Sequence, residues 1–150
     1  MRRFKEITLA LLSVMTALLF TSCEVKTEKI SYGKDACSFC KMGIVDHQFS
    51  AEAVTEKGKI YKFDDVSCMV KFLKESTEPS TNYKFLVVSD YEGSDEFVDV
   101  KEAKFIHSES LRSPMRGDVA AFGKPHVAES FEHEDKSSVE LTWEEVQAKF

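Results

Sequence analysis

One order of hydrophobic patterns runs through this chain twice. Lys62-Phe63-Asp64 stands against Ala121-Phe122-Gly123, and Phe72 against Phe131, at a constant spacing of 59 residues (121 − 62 and 131 − 72). In the first copy, Phe49, Ala51 and Ala53 alternate loosely with Ser50 and Glu52. Glu56-Lys57-Gly58-Lys59 then makes a turn, and Ile60 to Phe63 resumes an extended pattern, so a hairpin is expected. Asp64 and Asp65 can cap a helix that starts just after them. Val66, Met69, Val70 and Leu73 fall at helical spacing, which predicts a helix from Asp65 to about Ser76, ended at the latest by Pro79. Tyr83 to Val88, aromatic and β-branched, predicts a strand.

In the second copy, Lys104 to His107 and Asp118 to Phe122 predict strands on either side of a loop containing Ser113-Pro114-Met115-Arg116-Gly117. Pro125 suits the first turn of a helix running to about Glu134, and Val139 to Leu141 predicts a strand. Thr142 and Glu145 form a Thr-x-x-Glu box opening a last helix. Duplication would give such an echo, and so would ordinary alternation in an α+β chain. Either way, hairpins succeeded by helices do not make a parallel doubly wound sheet. The expected class is α+β, with two ββαβ-type units packed as one small domain.

The N-terminus separates from this pattern. Met-Arg-Arg-Phe-Lys is cationic, and an apolar run of 14 residues extends from Ile7 to Phe20. That length suits a signal-peptide core and is short of the roughly 20 residues a membrane span needs. Phe20-Thr21-Ser22-Cys23 resembles a lipobox, with Phe20 where Leu is usual. Residues 1–22 are therefore expected to be a lipoprotein signal peptide, with Cys23 the lipidated residue at an extracytoplasmic (periplasmic-side) membrane face. The alternative is an ordinary cleaved signal and a free Cys23. Acylation would hold the protein at a membrane by roughly 0.8 kcal/mol per buried methylene. Residues 23–34 are polar and expected to be a tether, leaving 35–150 as the domain.

Without its signal the chain carries 20 − 3 = 17 basic and 26 − 1 = 25 acidic residues, a net charge of −8. That balance argues against nucleic acid, whose phosphates want a basic face, and against a polybasic membrane-binding surface.

The chemistry concentrates in Cys37-Ser38-Phe39-Cys40-Lys41-Met42, where three sulfur atoms fall within six residues. Two cysteines three apart can grip one ion when the loop between them turns back. Thiolate and thioether donors are soft and favour Cu(I), zinc or iron–sulfur clusters, and zinc rarely takes Met, so Met42 tilts the choice toward Cu(I). Met115 lies in a Pro/Gly loop and is not an obvious core residue. Cys68-Met69 falls on the first helix, where periodicity favours core for Met69 and leaves Cys68 undecided. His126, near the start of the second helix and close in sequence to the Met115 loop, is the best candidate among the histidines. His47 reads as a turn or surface residue, and His107 and His133 carry no signal. Other roles for Cys37 and Cys40 stay open: a plain disulfide, a thioredoxin-like redox pair, though no strand precedes them, or half of a zinc knuckle lacking its second pair.

Several separated motifs, in this order, resemble one family: Cys37-x-x-Cys40-x-Met42-x-Ile44, Phe63-Asp64-Asp65-x-x-Cys68-Met69, Ser113-Pro114-Met115 with Ala120-Ala121-Phe122, and Leu141-Thr142-Trp143-x-Glu145. Together with the lipoprotein start they resemble the NosL family of nitrous-oxide-reductase accessory lipoproteins. The resemblance implies a Cu(I)-binding chaperone outside the cytoplasm, with nitrous oxide reductase or another copper enzyme as client. It implies Cys40 and Met115 as first copper ligands, with Cys37 and Met42 close behind. Lys41 departs from the family, where Gly is frequent before the Met, and so does Arg116, where Gly often comes directly after the Met. The expected site is a low-coordinate Cu(I) held by Cys40, Met115 and one or two of Cys37, Met42 and His126, with Cys68 a weaker candidate and no catalysis. The rivals are a thiol–disulfide oxidoreductase using Cys37 and Cys40, and a zinc-stabilised interaction module.

Overall fold

The computed structural model describes residues 24–77, 79, 82–93 and 96–150. The expected signal segment and Cys23 lie outside the described residues. The expected hairpin forms from β1 (Ala51–Thr55) and β2 (Ile60–Phe63), paired antiparallel with Ala51 opposite Phe63. Asp65 adopts an extended conformation, caps α1 (Val66–Glu75) and accepts the Ser67 N–H at 2.7 Å. The chain returns as β3 (Tyr83–Ser89) on the other side of β1, and β4 (Phe97–Asp99) then runs along β3.

The second unit repeats the plan. β5 (Lys104–His107) is central, flanked by β6 (Val119–Phe122) and β7 (Val139–Leu141), with α2 (Pro125–Glu134) between them in sequence. Thr142 and Glu145 close the expected capping box at the start of α3 (Trp143–Lys149). The two sheets run β2-β1-β3-β4 and β6-β5-β7, so each central strand has its hairpin partner on one side and the post-helix strand on the other. The protein is thus α+β, with two small antiparallel sheets and three helices among the described residues. Both ends of α1 and α2 stand 59 residues apart (125 − 66 and 134 − 75). The hairpin links differ: 56–59 joins β1 to β2, whereas 108–118 joins β5 to β6. The longer link is the loop that carries Met115.

Alternation along the strands decides what each face meets. Phe105, Val119 and Ala121 enter one cluster with Ala51, Ala53, Phe63, Val66, Met69, Val70 and Val88, which joins the two units. Ile106, Ala120 and Phe122 face the other way, into a cluster with Phe49, Leu111 and Ala128 of α2. β6 is therefore buried on both faces, which explains why all four of its residues are inaccessible, while β7 lies at the exposed edge of the sheet. Met69 is fully buried in the main core.

Two features depart from the sequence pattern. β4 arises where no strand was expected; its three residues are only partly buried. The stretch expected as a tether is docked from Glu28 onward. Ile30 is buried, the Glu28 N–H donates to Glu52 at 2.9 Å, and the Lys62 ammonium reaches Glu28 at 3.0 Å and Asp35 at 2.8 Å. Ile30, Tyr32 and an ion-pair pivot at Lys62 hold a segment whose composition looks like a linker.

Candidate metal centre

The Cys-x-x-Cys-x-Met segment is a tight loop laid against β2. The Cys37 N–H donates to the Met42 carbonyl at 2.8 Å, and the Lys41 N–H to the Cys37 carbonyl at 3.1 Å. Lys41 sits at φ 67°, the left-handed region, which lets the chain reverse between Cys40 and Met42. Ser38 fastens the loop: its N–H donates to the Lys62 carbonyl at 2.7 Å, and its hydroxyl accepts from the Lys62 N–H at 3.2 Å. The loop thereby tracks β2 into the start of α1, where Asp64 and Cys68 wait.

The Sγ atoms of Cys37, Cys40 and Cys68 and a carboxylate oxygen of Asp64 all lie within 4.8 Å of one another. Donors bound at about 2.3 Å around one tetrahedral ion stand about 3.7 Å apart, so a modest contraction would close this set on a metal. Cys37, Cys68 and Asp64 are almost wholly inaccessible, while Cys40 is partly open to solvent. All three thiols are free. The Cys40 thiol donates to Asp64, 3.4 and 3.5 Å from its two oxygens.

The thiols are electrostatically unequal. A hydrogen bond from the Cys68 thiol pulls Cys37 down to about 6, against the opposing effect of burial. The same bond, with Cys68 as donor, and burial hold Cys68 well above the ordinary thiol range. Burial pushes Cys40 up to about 11, with Cys37 and Asp64 adding to it. The positive end of α1, on whose first turn Cys68 lies, favours negative charge here. Cys37 is therefore the thiol set to lose its proton first, while Cys40 and Cys68 hold theirs.

Met115 is half-buried and packs on the core cluster that contains Cys37 and Cys68. Its N–H donates to the second oxygen of Asp65 at 3.0 Å, so one carboxylate caps α1 and pins the Met115 loop to it. Gly117 makes this approach possible: a Cβ there would stand 3.0 Å from both Asp65 Oδ1 and Ser67 Cβ. Met42 is 54% exposed, at the outer edge of its loop. His126 is exposed at the second position of α2 and is not among the donors that converge. Among the described residues, this is the one group of three or more His, Cys, Asp or Glu donors positioned to share an ion.

By its sequence Asp64 is only a capping candidate. Asp65 performs the capping, which leaves its neighbour free to turn toward the sulfurs. The available signal was a second acid directly before the cap, about one helical turn ahead of Cys68.

No curated protein sequence matches this chain significantly. Among solved structures it is similar to the copper chaperone NosL from Shewanella denitrificans, with a TM-score of 0.68 and 20% identity over 82% of this chain and 96% of that one. At that identity the likeness concerns the fold. The sequence profile of the NosL family matches residues 30–150, which span both units, the sulfur loop and the Met115 loop. The chain belongs to the NosL family.

Proposed function

We propose that this protein is an exported, lipid-anchored copper chaperone that carries Cu(I) on the cluster of Cys37, Cys40 and Cys68 and passes it to an extracytoplasmic copper enzyme. The single observation that carries this reading is the convergence of three free thiols within 4.8 Å at the start of α1. Soft sulfur donors select Cu(I). Asp64, hydrogen-bonded to the Cys40 thiol, would orient that sulfur toward the metal as its proton leaves to solvent. Met115, on a loop pinned to the same helix start, and the exposed Met42 supply thioethers at the rim. Buried thiols would retain the ion; rim thioethers would let an incoming donor bind before an outgoing one leaves. The chain itself performs no catalysis in this scheme.

The lipid at Cys23 and a location on the outer face of a membrane rest on the lipobox-like Phe20-Thr21-Ser22-Cys23. The client, nitrous oxide reductase or another copper enzyme, rests on family membership together with the copper chaperone named among similar structures. A Cu(I) titration against a competing chelator tests the reading. One tight equivalent is expected, weakened at least tenfold by Cys40→Ser and more modestly by Met115→Leu. Parent-like affinity in both variants refutes the assignment.

One observation favours a second reading. Asp64 adds a hard oxygen to three sulfurs, a Cys3Asp set that zinc accepts in a tetrahedral structural site. A zinc-stabilised module would lose its fold on chelation and regain it with Zn(II), and would hold Zn(II) against stoichiometric Cu(I).

A further inference from the structure

The chain has four arginines: two in its first three residues, and Arg112 and Arg116. The domain's only guanidinium groups therefore sit in the loop that carries Met115, three residues before it and one after it. Both side chains are exposed and line an open cleft of about 660 Å³ with Glu109 and Asp118. Neither guanidinium is within ion-pair distance of those carboxylates; among the described residues the pairs found are Lys62 with Glu28 and Asp35, Lys104 with Glu140, and Lys124 with Glu92.

The backbone is unusual at the same positions. Among the described residues, four non-glycine residues adopt left-handed φ: Lys41 at 67°, Arg112 at 48°, Arg116 at 55° and Asp118 at 50°. All four lie in the two loops that carry Cys40, Met42 and Met115, and three of them are basic. Gly or Asn fits this region with less strain, so a long cation there is retained at a cost. The loop is nonetheless firmly held. Ser113 and Asp118 bond reciprocally: the Ser113 N–H donates to Asp118 Oδ1 at 2.9 Å, and the Asp118 N–H donates to Ser113 Oγ at 2.8 Å. Leu111 is buried beneath them. Two guanidiniums without an ion-pair partner among the described residues are thus presented on a fixed platform, beside a methionine tied to the metal centre.

From this we infer that Arg112 and Arg116 are the docking contact for a carboxylate-rich protein face, which brings its own copper donor to Met115. Guanidinium forks match carboxylates in a bidentate manner. The domain's other cations are lysines scattered among an excess of acids, so a carboxylate-rich face finds a pair of bidentate donors only at this loop, which fixes its orientation beside Met115. The inference rests on the copper-transfer reading for its purpose, although docking itself requires no metal.

The test uses two labelled synthetic peptides, each with a Met-x-x-Met copper acceptor, one flanked by four Asp and the other by four Asn. Fluorescence anisotropy with the metal-free protein reads docking; stopped-flow transfer from the Cu(I)-loaded protein reads delivery. At low salt the parent is expected to bind the Asp peptide and load it about tenfold faster than the Asn peptide, with the advantage lost at high salt. The R112Q/R116Q double variant should lose that preference while retaining the parent's melting temperature and Cu(I) affinity. Preference for the Asp peptide that survives R112Q/R116Q overturns the proposal, as does arginine-dependent binding to phosphatidylglycerol vesicles without any to the Asp peptide. A parent that docks the Asp peptide but binds no Cu(I) refutes the chaperone reading and leaves the docking contact standing.

Discussion

Replacing Glu52 by Gln should stabilise the protein at neutral and alkaline pH and leave it unchanged in acid. Glu52 is fully buried on β1, and one of its carboxyl oxygens accepts the Glu28 N–H while the other has no partner. Burial pushes its pKa from 4.5 up to about 7; the Glu28 N–H and Lys62 oppose that rise, while the charges of Glu28 and Asp35 add to it. Because the folded protein holds this proton more tightly than the unfolded chain, the contribution to stability is complete below about pH 4.5. It is lost as pH rises through 7. A shift from 4.5 to about 7, at 1.36 kcal/mol per unit, sets the penalty at up to about 3 kcal/mol above pH 7. Glutamine keeps a neutral acceptor for Glu28 and has no charge to bury. Urea unfolding of both proteins at pH 4.5, 6, 7 and 8 isolates the group, since every other titration is common to the pair. The variant should gain about 2–3 kcal/mol at pH 8 and nothing at pH 4.5. A constant difference across this range, or a less stable variant at pH 8, refutes the reasoning.

Gly117→Ala places a methyl 3.0 Å from Asp65 and Ser67, and the Met115 loop must lift from α1. A loss of about 1–2 kcal/mol in thermal or urea melts is expected, with weaker Cu(I) binding; a variant identical in both would show that the loop is not held there. In the metal-free protein, thiolate absorbance near 240 nm should show a step at about pH 6 from Cys37, absent from Cys37→Ser, and a second near 11 from Cys40. Under the proposed Cu(I) binding at Cys40, the metal displaces that thiol's proton, so apparent affinity should rise at least about tenfold per pH unit between these two values; pH-independent affinity would contradict that proton exchange. His126→Ala, on an exposed position outside the cluster, should leave Cu(I) affinity within about twofold of the parent.

The repeated elements were legible in the sequence because each has a local physical cause. Val66, Met69, Val70 and Leu73 keep helical period, Asp65 caps, and Pro125 and the Thr142–Glu145 box mark the later helix starts. β4 escaped because three half-buried residues beside Glu and Asp have no period of their own; its pairing with β3 creates it. The docking of residues 28–34 escaped for a related reason, since it depends on Lys62 and Glu52, both distant in sequence. At the site, Cys37 and Cys40 were legible as a pair because their spacing is local. Cys68 stood undecided between core and ligand, and Asp64 was hidden behind the cap. Only the tertiary contact between the sulfur loop and the start of α1 brings these two to the thiols. His126 was suggested by its closeness in sequence to Met115, a closeness that the length of the 108–118 link and the placement of α2 do not carry into the cluster.

The most direct measurement is copper K-edge X-ray absorption on the protein loaded with one equivalent of Cu(I). A Cu(I) edge and a shell of two or three sulfurs without imidazole nitrogen are expected. One sulfur should be lost in the Cys68→Ser variant, since Cys68 is the cysteine that only folding brings to Cys37 and Cys40. A shell containing imidazole nitrogen, or a sulfur count unchanged by Cys68→Ser, would contradict a copper site built on the buried thiol cluster.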